Sequence, residues 1–293
     1  MAGATSVPAA EGAVTLRDGR SLAYAEWGDL TGTPVILFHG MPNSRLLCPD
    51  EEATRAACVR LITMDRPGYG QSDPKPNRTL LDWVDDFAEF SDLLELPPCP
   101  VVGWSSGGPY AMACGARLPG RVKMIGLAAS DGPLDEVPGA WDELSPEVRG
   151  LIELLRRDRP SAVGAITKRC GWYADDPAYV PDSLRGQDNP DWVLFGQQPA
   201  IFEAWKHGRR EGARQGVVGY VADWIAEFLP WGFSVADVGC PAHVWWGQAD
   251  MLVSRAETEY LARTIPRSTL VTYPNEAHLV PFTHWAEILA PLL

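Results

Sequence analysis

The segment Gly103-Trp104-Ser105-Ser106-Gly107 places a serine between two glycines at a predicted junction of a strand and a helix. The apolar pair Val101-Val102 precedes it, and the stretch 109–118 that follows is helical in character. A sharp turn from strand to helix pushes the hydroxyl of its central residue out of the sheet edge, and its compressed backbone requires glycine at the flanking positions. The turn also directs a helix N-terminus at charge that develops near the serine. Ser105 is therefore the candidate nucleophile.

A serine hydroxyl is a weak nucleophile without a neighbouring base, so the five histidines are the next candidates. His278 lies in a loop after the last apolar run, where a sheet edge would bring it beside the serine. His207 and His284 are expected at the surface, and His243 falls inside a predicted strand and is expected to pack in the core. We therefore expect His278 to be the general base.

A catalytic histidine needs a carboxylate that holds its tautomer and stabilises its charged form. Asp250 comes directly after the predicted strand Val244–Trp246, and the carboxyl end of a sheet strand is where such a group should lie. Asp131 follows another predicted strand and is an alternative at the same edge. Otherwise Asp131 is expected to cap a helix or form a turn before Gly132-Pro133. We favour Asp250.

Short, unbroken apolar runs must supply the strands that position these residues, because such runs are typical of strands buried on both faces. The runs span residues 35–38, 61–64, 101–104, 124–128, 244–246 and 270–273, and a predicted hairpin over 14–27 precedes them. Between several of them lie amphipathic helices, one of which begins with a capping box formed by Thr79 and Asp82. This alternation predicts an α/β fold with a mostly parallel sheet and helices on both faces.

The alternation stops between residues 132 and 235, where the pattern is helical over 146–156 and 199–214 and contains no buried strand run. Six of the twelve tryptophans fall in this segment. We therefore predict one sheet domain, residues 1–131 and 236–293, interrupted by a helical insertion over 132–235. Ser105 then lies on one side of the insertion and its two partners on the other.

Composition excludes several classes of function. A chain of 293 residues with 25 basic and 38 acidic side chains carries a net charge of −13 and repels phosphate backbones and anionic membranes, so neither is expected as a partner. The six cysteines are scattered without a Cys-x-x-Cys pair, which indicates buried thiols in a reducing compartment and no zinc site. The first ten residues lack a signal-peptide pattern, and no stretch approaches membrane-spanning length. A cytoplasmic protein is expected.

These motifs, in the chain order Ser105, Asp250, His278, resemble the α/β-hydrolases that carry a cap domain. The resemblance covers nearly the whole chain. It implies an eight-stranded, mostly parallel sheet with helices on both faces, into which the insertion is placed as a helical cap. The segment Asp65–Ser72 resembles the family's loop after the fourth strand and is expected to be structural.

The resemblance also implies an oxyanion hole. In the family, the residue after the pair His39-Gly40 donates a backbone amide; here that residue is Met41, and Pro42 has no amide hydrogen to offer. The second donor would be the amide of Ser106. Gly40 and Trp104 are the substrate-binding candidates, although Trp104 could instead pack beneath the serine turn.

The leading hypothesis is a serine hydrolase that cleaves an ester or lactone of a small apolar or aromatic acid through an acyl-enzyme on Ser105. The tryptophans of the insertion would line the pocket, or would only pack the insertion onto the sheet. A serine nucleophile excludes the dehalogenase and epoxide hydrolase relatives, which use aspartate, and a tryptophan before the serine argues against a proline iminopeptidase. Carbon–carbon bond hydrolysis, haloperoxidase-like perhydrolysis, hydroxynitrile cleavage and a non-catalytic small-molecule receptor remain alternatives. No metal or cofactor is expected, and the protein would be a monomer or a homodimer.

Overall fold

Eight strands form one sheet in the computed structural model, which describes residues 7–293 apart from the side chain of Ser183. Residues 1–6, part of the segment without a signal-peptide pattern, lie outside the described residues. The strands are β1 (Ala10–Thr15), β2 (Ser21–Gly28), β3 (Thr33–Phe38), β4 (Val59–Met64), β5 (Cys99–Trp104), β6 (Val122–Ala128), β7 (Ala242–Gly247) and β8 (Ser268–Tyr273). Their order is β1-β2-β4-β3-β5-β6-β7-β8, and only β1 with β2 and β2 with β4 pair antiparallel. The predicted mostly parallel α/β sheet is confirmed.

The described residues also form twelve α-helices. They are α1 (Glu51–Ala56), α2 (Leu80–Leu93), α3 (Gly107–Arg117), α4 (Ala140–Glu143), α5 (Pro146–Arg157), α6 (Arg159–Asp175), α7 (Pro190–Gln197), α8 (Pro199–Gly212), α9 (Val218–Phe228), α10 (Arg255–Thr264), α11 (Val280–Thr283) and α12 (Trp285–Leu289). Six of them, α4 to α9, lie between β6 and β7, and no strand interrupts them in this stretch, all of which is described.

Strand β3 shows how the sheet is covered on both faces. Successive side chains of a strand point to opposite faces, and here Ile36 and Phe38 join one apolar core while Val35 and Leu37 join the other. Helices α2, α3 and α10 contribute to the first core, and α11 and α12 to the second. Both cores exclude water from the central strands, which explains why their sequences are continuous apolar runs rather than alternating ones.

Helix α2 begins with the predicted capping box. The Thr79 hydroxyl accepts a hydrogen bond from the Asp82 backbone amide at 3.2 Å, and the Asp82 carboxylate accepts one from the Thr79 amide at 2.8 Å. Trp83, Phe87 and Phe90 then lie on the face buried against the sheet. A local pattern therefore fixes both the start of α2 and the face that it buries.

Five of the six cysteines are buried, as expected, but Cys58 is exposed. It lies in the turn between α1 and β4, with φ at +53°, and the expectation of buried thiols is wrong at this position. Among the helices of residues 7–293, none is long and apolar enough to cross a bilayer.

Candidate active site

Ser105 lies on the sharp turn between β5 and α3 and has φ at +54°, the left-handed region that side chains rarely adopt. Its flanking glycines are required by close backbone contacts. A Cβ on Gly103 would lie 2.5 Å from the Gly107 carbonyl oxygen, and one on Gly107 would collide with the Phe38 carbonyl oxygen. The Ser105 amide donates to the Ala128 carbonyl at 3.0 Å, which ties the turn to β6. Strain of this kind persists where the surroundings hold it in place, as at many functional sites.

Asp250 and His278 come together at the carboxyl ends of β7 and β8. The distance from His278 Nδ1 to Asp250 Oδ2 is 2.9 Å, and the Asp250 side chain is fully buried. The other Asp250 oxygen accepts the backbone amides of Leu252 and Val253 at 2.8 and 3.0 Å. The carboxylate is therefore held in one orientation, and it fixes the imidazole in turn.

The charges around His278 favour its protonated form. Burial disfavours the charged imidazolium and by itself would lower the pKa of His278. The neighbouring carboxylates outweigh this effect, with Asp250 contributing most and Asp191 and Asp131 less. Together they raise the pKa of His278 to about 9. Only the neutral imidazole can take up a hydroxyl proton, so His278 becomes competent as a base as the pH approaches this value.

Asp191, which sequence reasoning did not identify, anchors the loop that carries His278. Its carboxylate reaches from α7 and accepts the backbone amides of His278 and Leu279, both at 3.0 Å. Burial raises the pKa of Asp191, and the backbone hydrogen bonds act in the opposite direction. The only local signal is Asn189-Pro190-Asp191, which marks the start of a helix but gives no indication of a contact 87 residues away in the chain.

Trp104 packs behind the histidine. Its indole Nε1 donates to the His278 carbonyl oxygen at 3.0 Å, and its ring lies 5.6 Å from the imidazole and 5.5 Å from the Phe282 ring, measured between centroids. Only 4% of Trp104 is exposed. The side chain next to the candidate nucleophile therefore supports the loop of the candidate base.

Gly40 and Met41 lie on the loop after β3, beside the serine turn. A Cβ on Gly40 would lie 3.0 Å from Ser105 Cβ and 3.2 Å from the Trp104 ring, so only glycine allows the loop to approach this closely. Among the described residues, neither the Met41 amide nor the Ser106 amide donates to a protein acceptor. Neither N–H group is therefore already engaged by a protein acceptor in residues 7–293.

Asp131 does not contact His278 directly; its carboxylate accepts a hydrogen bond from the Ser106 hydroxyl at 2.9 Å. It lines a cavity of about 270 Å³ together with Glu227, Asp250 and Glu257. Burial and the negative charge of Glu257 raise the pKa of Asp131 to about 7. Asp131 was expected either to be the partner of His278 or to cap a helix or form a turn, and neither expectation includes this contact with the residue after the candidate nucleophile.

Aromatic side chains from α7 and α8 lie next to His278. A cavity of about 60 Å³ is lined by Trp192, Phe195 and Trp205 on one side and by His278 and Leu279 on the other. The Phe195 and Trp205 ring centroids are 5.4 Å apart. By contrast, other tryptophans of this segment, such as those at 224 and 231, are buried in apolar cores.

His207, His243 and His284 lie outside this arrangement. His207 is exposed, as expected. His284 is less accessible than expected because its ring stacks on Tyr273 at 3.8 Å. His243 lies in β7 but stays partly exposed and stacks on Trp245. Within residues 7–293, no group of three His, Cys, Asp or Glu side chains is placed to hold a metal ion.

Comparison with known proteins identifies the family. The family model for the alpha/beta hydrolase fold matches residues 33–284. The pimeloyl-[acyl-carrier protein] methyl ester esterase of Chromobacterium violaceum is 25% identical over 89% of this chain and 93% of its own. A bifunctional esterase/perhydrolase of Acinetobacter calcoaceticus is 24% identical, over 96% of this chain and 98% of the length of that relative. Among solved structures, a thermophilic esterase from Thermogutta terrifontis covers 97% of both chains with a TM-score of 0.66 at 24% identity. The chain belongs to the α/β-hydrolase fold family.

Proposed function

We propose that this protein hydrolyses a carboxylic ester or lactone of a small apolar or aromatic acid through an acyl-enzyme on Ser105. The observation that carries the proposal is the 2.9 Å contact between His278 and the buried Asp250 carboxylate, at the same sheet edge as the strained serine turn. Such a pair supplies the base that a serine nucleophile needs.

In the first step, Ser105 Oγ attacks the substrate carbonyl carbon while His278 removes the hydroxyl proton. When the tetrahedral intermediate collapses, His278 returns that proton to the leaving alcohol and the acyl group stays on Ser105. Water then attacks the acyl carbon, His278 accepts a proton from it, and the acid leaves as Ser105 regains its hydrogen. Asp250 stabilises the imidazolium in both halves of the cycle.

The amides of Met41 and Ser106 would bind the negative oxygen of each tetrahedral intermediate. Neither amide has a protein acceptor among residues 7–293, so neither must break an existing hydrogen bond before it can act. One donor of this kind typically contributes about 3–4 kcal/mol to transition-state stabilisation.

Residues 132–235 would act as a cap that confers preference for apolar substrates. Trp192, Phe195 and Trp205 belong to this segment and line the cavity at His278. Aromatic walls with few polar groups are typical of small-molecule pockets, but this cavity of about 60 Å³ would have to widen to admit a substrate. Of the relatives named above, one is a methyl ester esterase and one a bifunctional esterase/perhydrolase; both names agree with an ester substrate, and the second agrees with perhydrolysis as well.

The test compares two adjacent serines. Ser105→Ala should lower kcat/KM for short p-nitrophenyl esters by at least about 10³-fold, because it removes the nucleophile. Ser106→Ala is the matched control: it loses the hydroxyl bonded to Asp131 but keeps its backbone amide, so most activity should remain. Full activity in Ser105→Ala would refute the mechanism. Binding of these esters by the wild-type protein without turnover would instead support a receptor.

A further inference from the structure

A second cavity lies outside the candidate active site, between α6, α9 and the loop that precedes α2. Its volume is about 300 Å³, at the lower end of the range for small-molecule pockets. Most of its lining is apolar, including Pro76, Val163, Val221 and Ile225. The described residues that line it include none of Ser105, Asp250 and His278.

The charged residues of this lining are all positive. Lys75, Arg78 and Arg159 contribute to the wall, and no carboxylate is found among the described residues that do. Lys75 is paired with Asp82 and Asp86 at 3.2 and 3.1 Å. In a protein whose net charge is −13, a cavity with only cationic charges in its wall is a distinctive local feature.

Arg159 is the first residue of α6, where the positive end of the helix dipole disfavours a cation. Its Nε is buried without a hydrogen-bond partner, and no ion pair forms between this guanidinium and any other residue that the structure describes. The nearest carboxylate in sequence, Asp158, is instead bonded to the Ser161 hydroxyl. The charge of Arg159 is thus left uncompensated by the protein.

Arg78 is a second arginine on the same wall, and one of the N–H groups of its guanidinium also lacks a hydrogen-bond acceptor. It is 2% exposed, and its terminal nitrogens bond to Tyr110 and Asp223, but its Nε has no partner in the described part of the chain. Asp223 is shared with the buried Arg66, so two arginines face one carboxylate. This buried group therefore carries an excess positive charge.

We propose that this cavity binds a small organic carboxylate with an apolar body. The apolar body would pack on Val163, Val221 and Ile225. The carboxylate would accept hydrogen bonds from Arg159 and Arg78 and offset the excess positive charge. A neutral apolar molecule would leave the Arg159 guanidinium without an anion and the Arg78 Nε without an acceptor, and an inorganic anion would leave the apolar walls uncovered.

The experiment measures binding by calorimetry on the Ser105→Ala protein, which removes the candidate nucleophile. Octanoate is the probe, and octanamide is its uncharged counterpart. Octanoate should bind at one saturable site at least about ten-fold more tightly than octanamide, since the charged carboxylate makes the stronger hydrogen bonds. Arg159→Gln should weaken octanoate by about ten-fold and leave octanamide unchanged.

Arg157→Gln is the matched control, since it makes the same charge change on an exposed side chain two residues away that does not line the cavity. It should bind octanoate like its parent. A second arm uses wild-type protein labelled at its reactive serine with a fluorophosphonate, which should also retain the affinity. Three results would each overturn the proposal: octanoate shows no saturable binding, the two arginine substitutions weaken binding equally, or labelling of the serine abolishes binding. The calorimetric arms involve no turnover, so they report on this cavity whether or not the protein is an esterase.

Discussion

Replacing Asp250 by asparagine should lower the pH at which ester hydrolysis reaches half of its maximal kcat/KM, and it should also slow the reaction. In the structure the pKa of His278 is raised to about 9, and the Asp250 carboxylate at 2.9 Å is the main cause that raises it. The gap between 9 and the ordinary value of 6.5 corresponds to about 3 kcal/mol in favour of the charged imidazole. Without the Asp250 charge, the burial of His278 is opposed chiefly by the weaker effects of Asp191 and Asp131, so the pKa should fall from about 9 towards the ordinary value of 6.5.

The sign of the change in activity follows from the role of the base. His278 must be neutral to accept a proton, so kcat/KM of the wild-type enzyme should rise with pH to a midpoint near 9. In Asp250→Asn the midpoint should fall from about 9 towards 6.5, while the plateau drops by up to about 10⁴-fold because the tautomer is no longer held.

The assay is the pH profile of kcat/KM for a p-nitrophenyl ester, with an NMR titration of the imidazole as an independent reading of its pKa. Asp191→Asn is the comparison: it removes a more weakly acting carboxylate and should lower the midpoint by a smaller amount. An unchanged midpoint in Asp250→Asn would refute the assignment of Asp250 as the partner that sets the basicity of His278.

Three further substitutions test the surroundings. Asp131 holds its proton to about pH 7 in the folded protein but only to 3.8 as a free carboxyl, so stability falls as pH rises between these values. Asp131→Asn should therefore raise the free energy of unfolding in urea by at least about 1 kcal/mol at pH 8 but not at pH 4. An equal increase in the free energy of unfolding at both pH values would contradict this account. Trp104→Phe loses the hydrogen bond to the His278 carbonyl and should lower kcat several-fold with KM unchanged, whereas an effect on KM alone would indicate substrate contact. Gly107→Ala would force a methyl group against the Phe38 carbonyl and should cost at least about 2 kcal/mol in thermal or urea unfolding; a variant as stable as wild type would show that the turn can relax.

Most strands and the three candidate catalytic residues could be predicted because their signals are local. The run 270–273 was wrongly expected to be buried on both faces, because β8 lies at the edge of the sheet and none of its residues is fully buried. A run such as Val35–Phe38 indicates a strand buried on both faces, and Ser105 stands out through its flanking glycines. Parallel strands present their carboxyl ends at one edge, so residues that follow different strands were expected to meet there. That rule did not decide between Asp250 and Asp131, because both follow strands of the sheet; only the side-chain geometry separates them.

What the sequence did not indicate depends on packing between distant segments. Asp191 caps the amides of the His278 loop from another element, and no pattern around residue 191 indicates that contact. The tryptophans of residues 132–235 look alike in sequence, yet Trp192 and Trp205 line the cavity at His278 while Trp224 is buried in a core. Which face of a helix meets which neighbour is set by the assembled fold, and single-sequence periodicity carries no such information.

The central claim is that Ser105 is the nucleophile, and the most direct measurement is reaction with a fluorophosphonate followed by peptide mapping. We expect a single adduct on the peptide that contains Ser105, located to that residue by fragmentation, with ester turnover lost in proportion to the fraction labelled. An adduct on Ser106 or another residue, or undiminished turnover by fully labelled protein, would contradict the account.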